Sequence, residues 1–257
     1  MRKLKEFRGY TVDIRLQEFR TVVDGKGITF IPFTSSKGQT LLKQMHQEVT
    51  CAILPISRRS AWSVRLPIHC DGRPLRGPND LCFGPDGTLY FTDPAGSSLA
   101  ERIGAVYAVA PDGRVARIAT DLAFPNGLMV TPDGAALVVA ETYRGVLHRY
   151  SLDPARRYEE LAPLATLRPA GEGDEEAGPD GMAFGADGNL YVAHYGSGYV
   201  QVVAPDGAIV TSLPAGGVSP TNVAFWQDSL YVTEGNSGSI YRLDIGVREQ
   251  PPFGRPW

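Results

Sequence analysis

The feature that most constrains the fold of this 257-residue chain is a segment that recurs four times. It reads Pro78-Asn79-Asp80-Leu81-Cys82-Phe83, Pro125-Asn126-Gly127-Leu128-Met129-Val130, Pro179-Asp180-Gly181-Met182-Ala183-Phe184 and Pro220-Thr221-Asn222-Val223-Ala224-Phe225. In each copy, apolar residues stand two and four places after the Asn, Asp or Thr, which is the alternation of a half-buried strand. A turn follows at Asp86-Gly87, Asp133-Gly134, Asp187-Gly188 and Asp228-Ser229. Asp-Gly between alternating apolar runs is a hairpin signal. A second strand then begins at Leu89, Leu137, Leu190 and Leu230, and a third opens at Gly104, Gly145, Gly198 and Gly238. Two copies continue through a further Pro-Asp-Gly, at 111–113 and 205–207, into a fourth strand.

Each unit is therefore a four-stranded meander. The starts at 79, 126, 180 and 221 lie 47, 54 and 41 residues apart, close to the roughly 40–50 residues of a propeller blade. A single sheet of this kind cannot bury both faces, so such units stack radially around an axis. The last unit, ending near Gly246, has three strands, and residues 17–24 have the strand character to supply its missing outer strand. That closure leaves 25–71, about one further repeat length. The arithmetic gives five blades in one all-β propeller domain spanning 1–257: a closing strand at 17–24, an atypical segment at 25–71, recognisable blades over 72–246 and an irregular tail at 247–257.

Composition agrees: 29 Gly and 20 Pro supply many tight turns, and 43% hydrophobic residues are enough for a core. Cys51, Cys70 and Cys82 have no C-x-x-C spacing, so they predict neither a disulfide framework nor a zinc site. The absence of a signal-peptide-length apolar run predicts a soluble, cytoplasmic protein with no membrane partner. Residues 1–70 carry 5 Lys and 7 Arg against 5 acidic residues, but dispersed among apolar residues, which argues against a nucleic-acid-binding arm. G-x-S-x-G, P-loop, G-x-G-x-x-G and H-E-x-x-H patterns are absent.

What remains is the repeat position itself. Asn79, Asn126, Asp180 and Thr221 each begin an innermost strand, so a radial array would bring their side chains to one mouth of the central channel. Amide and carboxylate oxygens at a shared centre suit a hard cation such as Ca²⁺. The alternative is that Asn and Asp before a strand cap local backbone groups as Asx-turns.

The segments GPNDLCFGPDGTLYFTDP, FPNGLMVTPDGAALVVAET, GPDGMAFGADGNLYVAHYG and SPTNVAFWQDSLYVTE resemble successive blades of the gluconolactonase/senescence-marker-protein (regucalcin-like) family, over about residues 72–246. The resemblance implies a six-bladed propeller with a divalent metal at the channel mouth and hydrolysis of lactones. It makes Asn126 and Asp180 metal ligands, Asn79 a contact to substrate or metal, and Asp180 also the general base. Ca²⁺ is the first expectation, with Zn²⁺ or Mn²⁺ as alternatives, and a small sugar lactone such as gluconolactone is the expected partner. His194, on the Asp180 blade, is a candidate substrate contact.

The chain departs from the family in two places. No Glu-Gly-Pro motif, which supplies the family's glutamate ligand, occurs here, and neither Glu18 nor Glu48 inherits its role. Where some members place a substrate-binding Arg, two residues before the first Asn, this chain has Gly77. A non-catalytic metal- or ligand-binding propeller, or a protein-interaction module, is the alternative function.

Overall fold

Each recurrence folds as a four-stranded antiparallel sheet. The computed structural model describes residues 75–167, 177–251 and 253 in full, together with Cys70 and the backbone of short paired strands between Arg2 and Pro74. Blade I comprises Leu81–Phe83, Leu89–Asp93, Gly104–Val109 and Val115–Leu122. Blade II comprises Pro125–Val130, Ala136–Glu141, Val146–Ser151 and Glu160–Thr166. Blade III comprises Gly178–Phe184, Leu190–Tyr195, Tyr199–Val203 and Ile209–Pro214. Blade IV comprises Pro220–Trp226, Ser229–Glu234 and Ser239–Asp244, with Arg2–Lys3 as its outer strand.

The second strands explain why the blades stack. All six residues of Ala136–Glu141 are buried, because alternate side chains serve different neighbours. Leu137 and Val139 pack with Tyr90 and Val106 of blade I, whereas Val138 and Ala140 pack with Met182 and Val192 of blade III. Blade III repeats the pattern: Leu190 and Val192 face blade II, while Tyr191 and Ala193 meet Val223, Phe225 and Val232 of blade IV. Each buried Leu or Val contributes about 1.5–3 kcal/mol, so the interfaces between blades are the core. The fold is an all-β propeller with four blades among the described residues.

The inner strands of the four blades line a cavity of about 240 Å³, bounded by Asp80, Leu128, Met182 and Phe225. Gln250 and Phe253 from the C-terminal segment line it too. That segment has no strand among its described residues and is tied to blade III by one bridge, Gly185 with Glu249, with Gln250 N donating to Phe184 O at 3.1 Å and Ala186 N to Arg248 O at 2.8 Å.

The closing strand differs from the expectation. Arg2 and Lys3 pair with Arg242 and Tyr241, while Phe19–Asp24 pairs instead with Gly27–Pro32. The physical reason is loop length. Asp24 pairs with Gly27 across two intervening residues, and so short a closure costs less chain entropy than one reaching the far end of the sequence. The expected fifth unit at 25–71 falls largely outside the described residues, as do Glu18 and Glu48. Blade IV also turns more tightly than the other three: Trp226 pairs with Ser229, so Ser229 starts the strand and Gln227 takes the left-handed conformation, φ 58°.

Candidate functional site

The start of each inner strand is held by the second strand of its own blade and presented to the next blade. In blade I, Asn79 N donates to Thr92 O at 2.9 Å and Asp80 N to Thr92 Oγ1 at 3.2 Å. The same Thr92 hydroxyl donates across to Asn126 O of blade II at 2.8 Å. Blade II repeats the device, with Thr142 Oγ1 donating to Pro179 O of blade III at 2.8 Å. Two threonines, Thr92 just before and Thr142 just after the acidic residue that ends each second strand, thus tie the next motif to its predecessor.

The side chains follow the same line. Asn79 Nδ2 donates to Asn126 Oδ1 at 2.6 Å, and Asn126 Nδ2 donates to Thr142 Oγ1 at 3.2 Å. Asn126 is 7% exposed, so its amide is held rather than solvated. Two glycines permit the close approach of neighbouring strands. A methyl group at Gly127 would collide with the carbonyl oxygen of Asp180, and one at Gly181 with the Asn222 side chain. Asn79 meets Asn126, and the Asp180 backbone packs on Gly127 beside it, so the starts of three inner strands adjoin in series. Thr221 turns to its own blade, its hydroxyl 2.7 Å from that of Thr233.

A second carboxylate, absent from the sequence expectations, joins this centre. Burial pushes the Asp80 carboxyl up to about 6, with only the Leu81 and Leu128 backbone N–H groups acting against the rise. Burial pushes Asp180 up to about 8, and the negative charge of Asp80 adds to it, opposed by the Gly181 N–H alone. These are desolvated like charges, each without a cationic side chain to lower its pKa, so each holds its proton more tightly. Such a pair is where a bound cation would be most stabilised. Asn79, Asn126 and Asp180 carry amide and carboxylate oxygens, the donor type that a hard divalent ion takes. Among the described residues no cluster of three or more His, Cys, Asp and Glu is placed to hold a metal, so a donor set here would need amides as well as carboxylates.

His194 lies near the end of the second strand of blade III, the blade of Asp180. Counted from Leu89, Leu137, Leu190 and Leu230, it corresponds to Asp93, Glu141 and Glu234 at the ends of the other second strands. It is 3% exposed, Nδ1 lies 3.4 Å from Gln201 Nε2, and Nε2 has no hydrogen-bond partner among the described residues. Burial lowers its pKa. Gln201 binds onward to Ser212, so the ring points into a line of polar residues within blade III. No helix among the described residues is long and apolar enough to cross a membrane.

Comparison with known proteins accords with this geometry. The sequence profile of the SMP-30/Gluconolactonase/LRE-like region matches residues 10–236. The diisopropyl-fluorophosphatase of Loligo vulgaris is 31% identical over 189 residues, covering 68% of this chain and 59% of that protein. The gluconolactonase of Zymomonas mobilis is 35% identical over 147 residues, 53% of this chain and 41% of that protein. Among solved structures, a gluconolactonase from Xanthomonas campestris superposes with a TM-score of 0.60 at 26% identity, covering 76% of this chain and 65% of that one. The chain spans about two fifths to three fifths of the length of the two curated relatives. With the profile matched over most of its length and the blades arranged accordingly, the chain belongs to the SMP-30/gluconolactonase/LRE-like family.

Proposed function

We propose that the chain is a divalent-metal-dependent hydrolase of small lactones, with a sugar lactone such as gluconolactone as substrate. What supports this is the 2.6 Å Asn79–Asn126 hydrogen bond between blades I and II, beside an Asp180 backbone that packs on Gly127, in a family that includes named gluconolactonases. Asn126 and Asp180 would hold the cation, with Asn79 beside them, and Ca²⁺ is the first choice for an all-oxygen set, ahead of Mn²⁺ or Zn²⁺. When bound, the cation supplies positive charge opposite a developing oxyanion.

The chain's own residues do the rest. Asn79 contacts the lactone through an amide held against Asn126, which is held in turn by Thr142. Asp180, once deprotonated, takes a proton from a water molecule as that water's oxygen attacks the carbonyl carbon. The ring C–O bond then breaks, and the proton passes from Asp180 to the departing alkoxide, giving the hydroxy acid. His194, whose buried Nε2 has no partner among the described residues, is kept as the candidate contact to substrate.

A non-catalytic metal- or ligand-binding propeller is favoured by one observation, the missing Glu-Gly-Pro motif. The name of the Loligo relative adds diisopropyl fluorophosphate to the substrates worth assaying. The experiment is acid release from a panel of γ- and δ-lactones and from that phosphofluoridate, before and after chelation and after readdition of Ca²⁺, Mn²⁺ or Zn²⁺. A rate above the spontaneous one that is lost on chelation and restored by one metal supports the lactonase. Metal binding by calorimetry with no rate on any substrate replaces it with the binding propeller.

A further inference from the structure

Each described blade carries a polar side chain at or near the end of its second strand, Asp93, Glu141, His194 or Glu234. Opposite, on the third strand, stand Tyr107, His148, Gln201 and Tyr241, in register with Phe91, Val139, Val192 and Val232. The three carboxylates turn back onto the segment that enters their own inner strand. Asp93 accepts from Arg76 N and Gly77 N at 2.9 and 2.7 Å, Glu234 from Ser219 N at 2.9 Å, and Glu141 from Ala123 N at 2.7 Å.

Blade II differs from the others in what stands behind its carboxylate. Glu141 is fully buried, and its second oxygen meets His148 Nε2 at 2.6 Å and Arg144 at 3.2 Å. His148 is 6% exposed, and its Nδ1 lies 3.1 Å from Glu160 Oε1 on the outer strand. Burial works against the Glu141 charge, but the bonds from His148 and the Ala123 N–H outweigh it and hold its pKa below the usual carboxylate range.

What Glu141 grips is the turn leading to Asn126. Asp121 and Phe124 both lie in the left-handed region, φ 60° and 63°, which is costly for residues with a side chain. Such a turn keeps its shape only where its surroundings impose it. Thr142 N donates to Phe124 O at 3.0 Å, Tyr143 N to Ala123 O at 3.3 Å, and the Phe124 and Tyr143 rings stack 4.8 Å apart. Thr142, next to Glu141, also receives the Asn126 side chain. One short segment, 141–143, thus fixes both the turn and the amide.

We propose that Glu141, held by His148, is a positioning residue for Asn126, setting the turn from which that amide is presented to the cation centre. This rests on the cation reading above. Partners behind a metal ligand typically change affinity by about 10–100-fold when removed, and Glu141 acts one step further back, through the turn and through Thr142.

The test uses the full chain and four variants, Glu141→Ala, Glu141→Gln, His148→Gln and, as control, Glu234→Ala. Glu234 does the same work in blade IV before Thr221, which is not a proposed ligand. Calcium affinity is measured by calorimetry. The Asn126 side-chain amide and the Ala123 backbone amide are followed by NMR hydrogen exchange, which needs no metal. Glu141→Ala is expected to weaken Ca²⁺ binding about 10-fold and to deprotect both amides. Glu141→Gln, which keeps an oxygen for Ala123 N–H, is expected to recover much of both, and Glu234→Ala to lower thermal stability while leaving affinity and both amides unchanged.

Unchanged affinity and protection in a folded Glu141→Ala, or equal losses in Glu141→Ala and Glu234→Ala, would overturn the proposal. If Glu141→Ala does not fold, His148→Gln decides by the same two amides. If the wild type binds no divalent ion, the cation reading fails, and the Asn126 amide still reports whether Glu141 positions it.

Discussion

Asn79 donates its side-chain amide to Asn126 across the boundary between two blades, at 2.6 Å and 47 residues apart in sequence. The contact matters because each residue also has a separate tie. The Asn79 backbone is bonded to Thr92, and the Asn126 side chain to Thr142. The two amides are fixed relative to each other by the stacking of blades rather than by a local turn, although Asx-type bonds exist beside them, as from Leu81 N to Asp80 Oδ1. Calcium affinity should therefore fall in both Asn79→Ala and Asn126→Ala, and the double variant should fall by less than the sum. Contacting residues couple by roughly 0.5–3 kcal/mol. Strict additivity in a calorimetric double-mutant cycle would show that the two amides act independently.

The glycines at 127 and 181 set how closely the inner strands approach. A methyl group at either meets a neighbouring strand with no room to move aside. Gly127→Ala should cost about 1–3 kcal/mol of stability, the usual range for overpacking, measured by urea denaturation. Gly113→Ala meets nothing within 4 Å but requires a left-handed alanine, φ 86°. Its cost is one of backbone conformation and should leave Ca²⁺ affinity unchanged, whereas Gly127→Ala should weaken it.

The half-buried pair gives a pH dependence of definite sign. Asp80 and Asp180 have an ordinary carboxylate value of 3.8 and are raised to about 6 and about 8. A raised carboxyl favours the folded state most below the unfolded value, and that contribution is lost as pH rises through the folded value. Without divalent metal, unfolding free energy should fall between about pH 4 and pH 8. Asp80→Asn should flatten the curve, since it removes one group and the like charge that helps raise the other. A stability that climbs over that window would contradict the assignment. Excess Ca²⁺ should raise stability most at the upper end, where both carboxylates are ionised.

Much of this was legible in the chain. The four motifs, their hairpins and the identity of the inner-strand starts follow from local period and turn chemistry, and blades I–IV form where those signals stand. Asn79 and Asn126 were legible as neighbours because a radial array must bring corresponding positions together. Asp80 was not, although it sits in the same motif: its importance comes from desolvation beside Asp180, which a linear pattern does not carry. Thr92 and Thr142 escaped for the same reason, since their hydroxyls bond across blades. The outer strand of blade IV was misplaced because Arg2–Lys3 is too short to show any period, while Phe19–Asp24 has strand character and uses it in a hairpin. His194 read as a lone histidine beside the site. Its correspondence with Asp93, Glu141 and Glu234 emerges only when the second strands are aligned.

The interfaces between blades should dominate stability. Leu137 and Leu190 are buried between neighbouring sheets, so Leu137→Ala or Leu190→Ala should cost about 2–5 kcal/mol. Ile209 and Val210, 49% and 59% exposed on the outer strand of blade III, should each cost under about 0.5 kcal/mol when changed to Ala. Equal losses at both places, measured by chemical denaturation, would mean that the outer edge is packed against something further.

Asp180 has two tasks in the proposed reaction, holding the cation and accepting a proton, and Asp180→Asn separates them. The amide keeps an oxygen for the ion but has no basic carboxylate. The decisive measurement is acid release from gluconolactone by wild type and Asp180→Asn, each at saturating Ca²⁺ and corrected for spontaneous hydrolysis. The account predicts a Ca²⁺-dependent rate in the wild type and a loss of about 10²–10⁴-fold in the variant, the usual contribution of a general base. A wild type with no rate above background, or a variant as fast as the wild type, would contradict it.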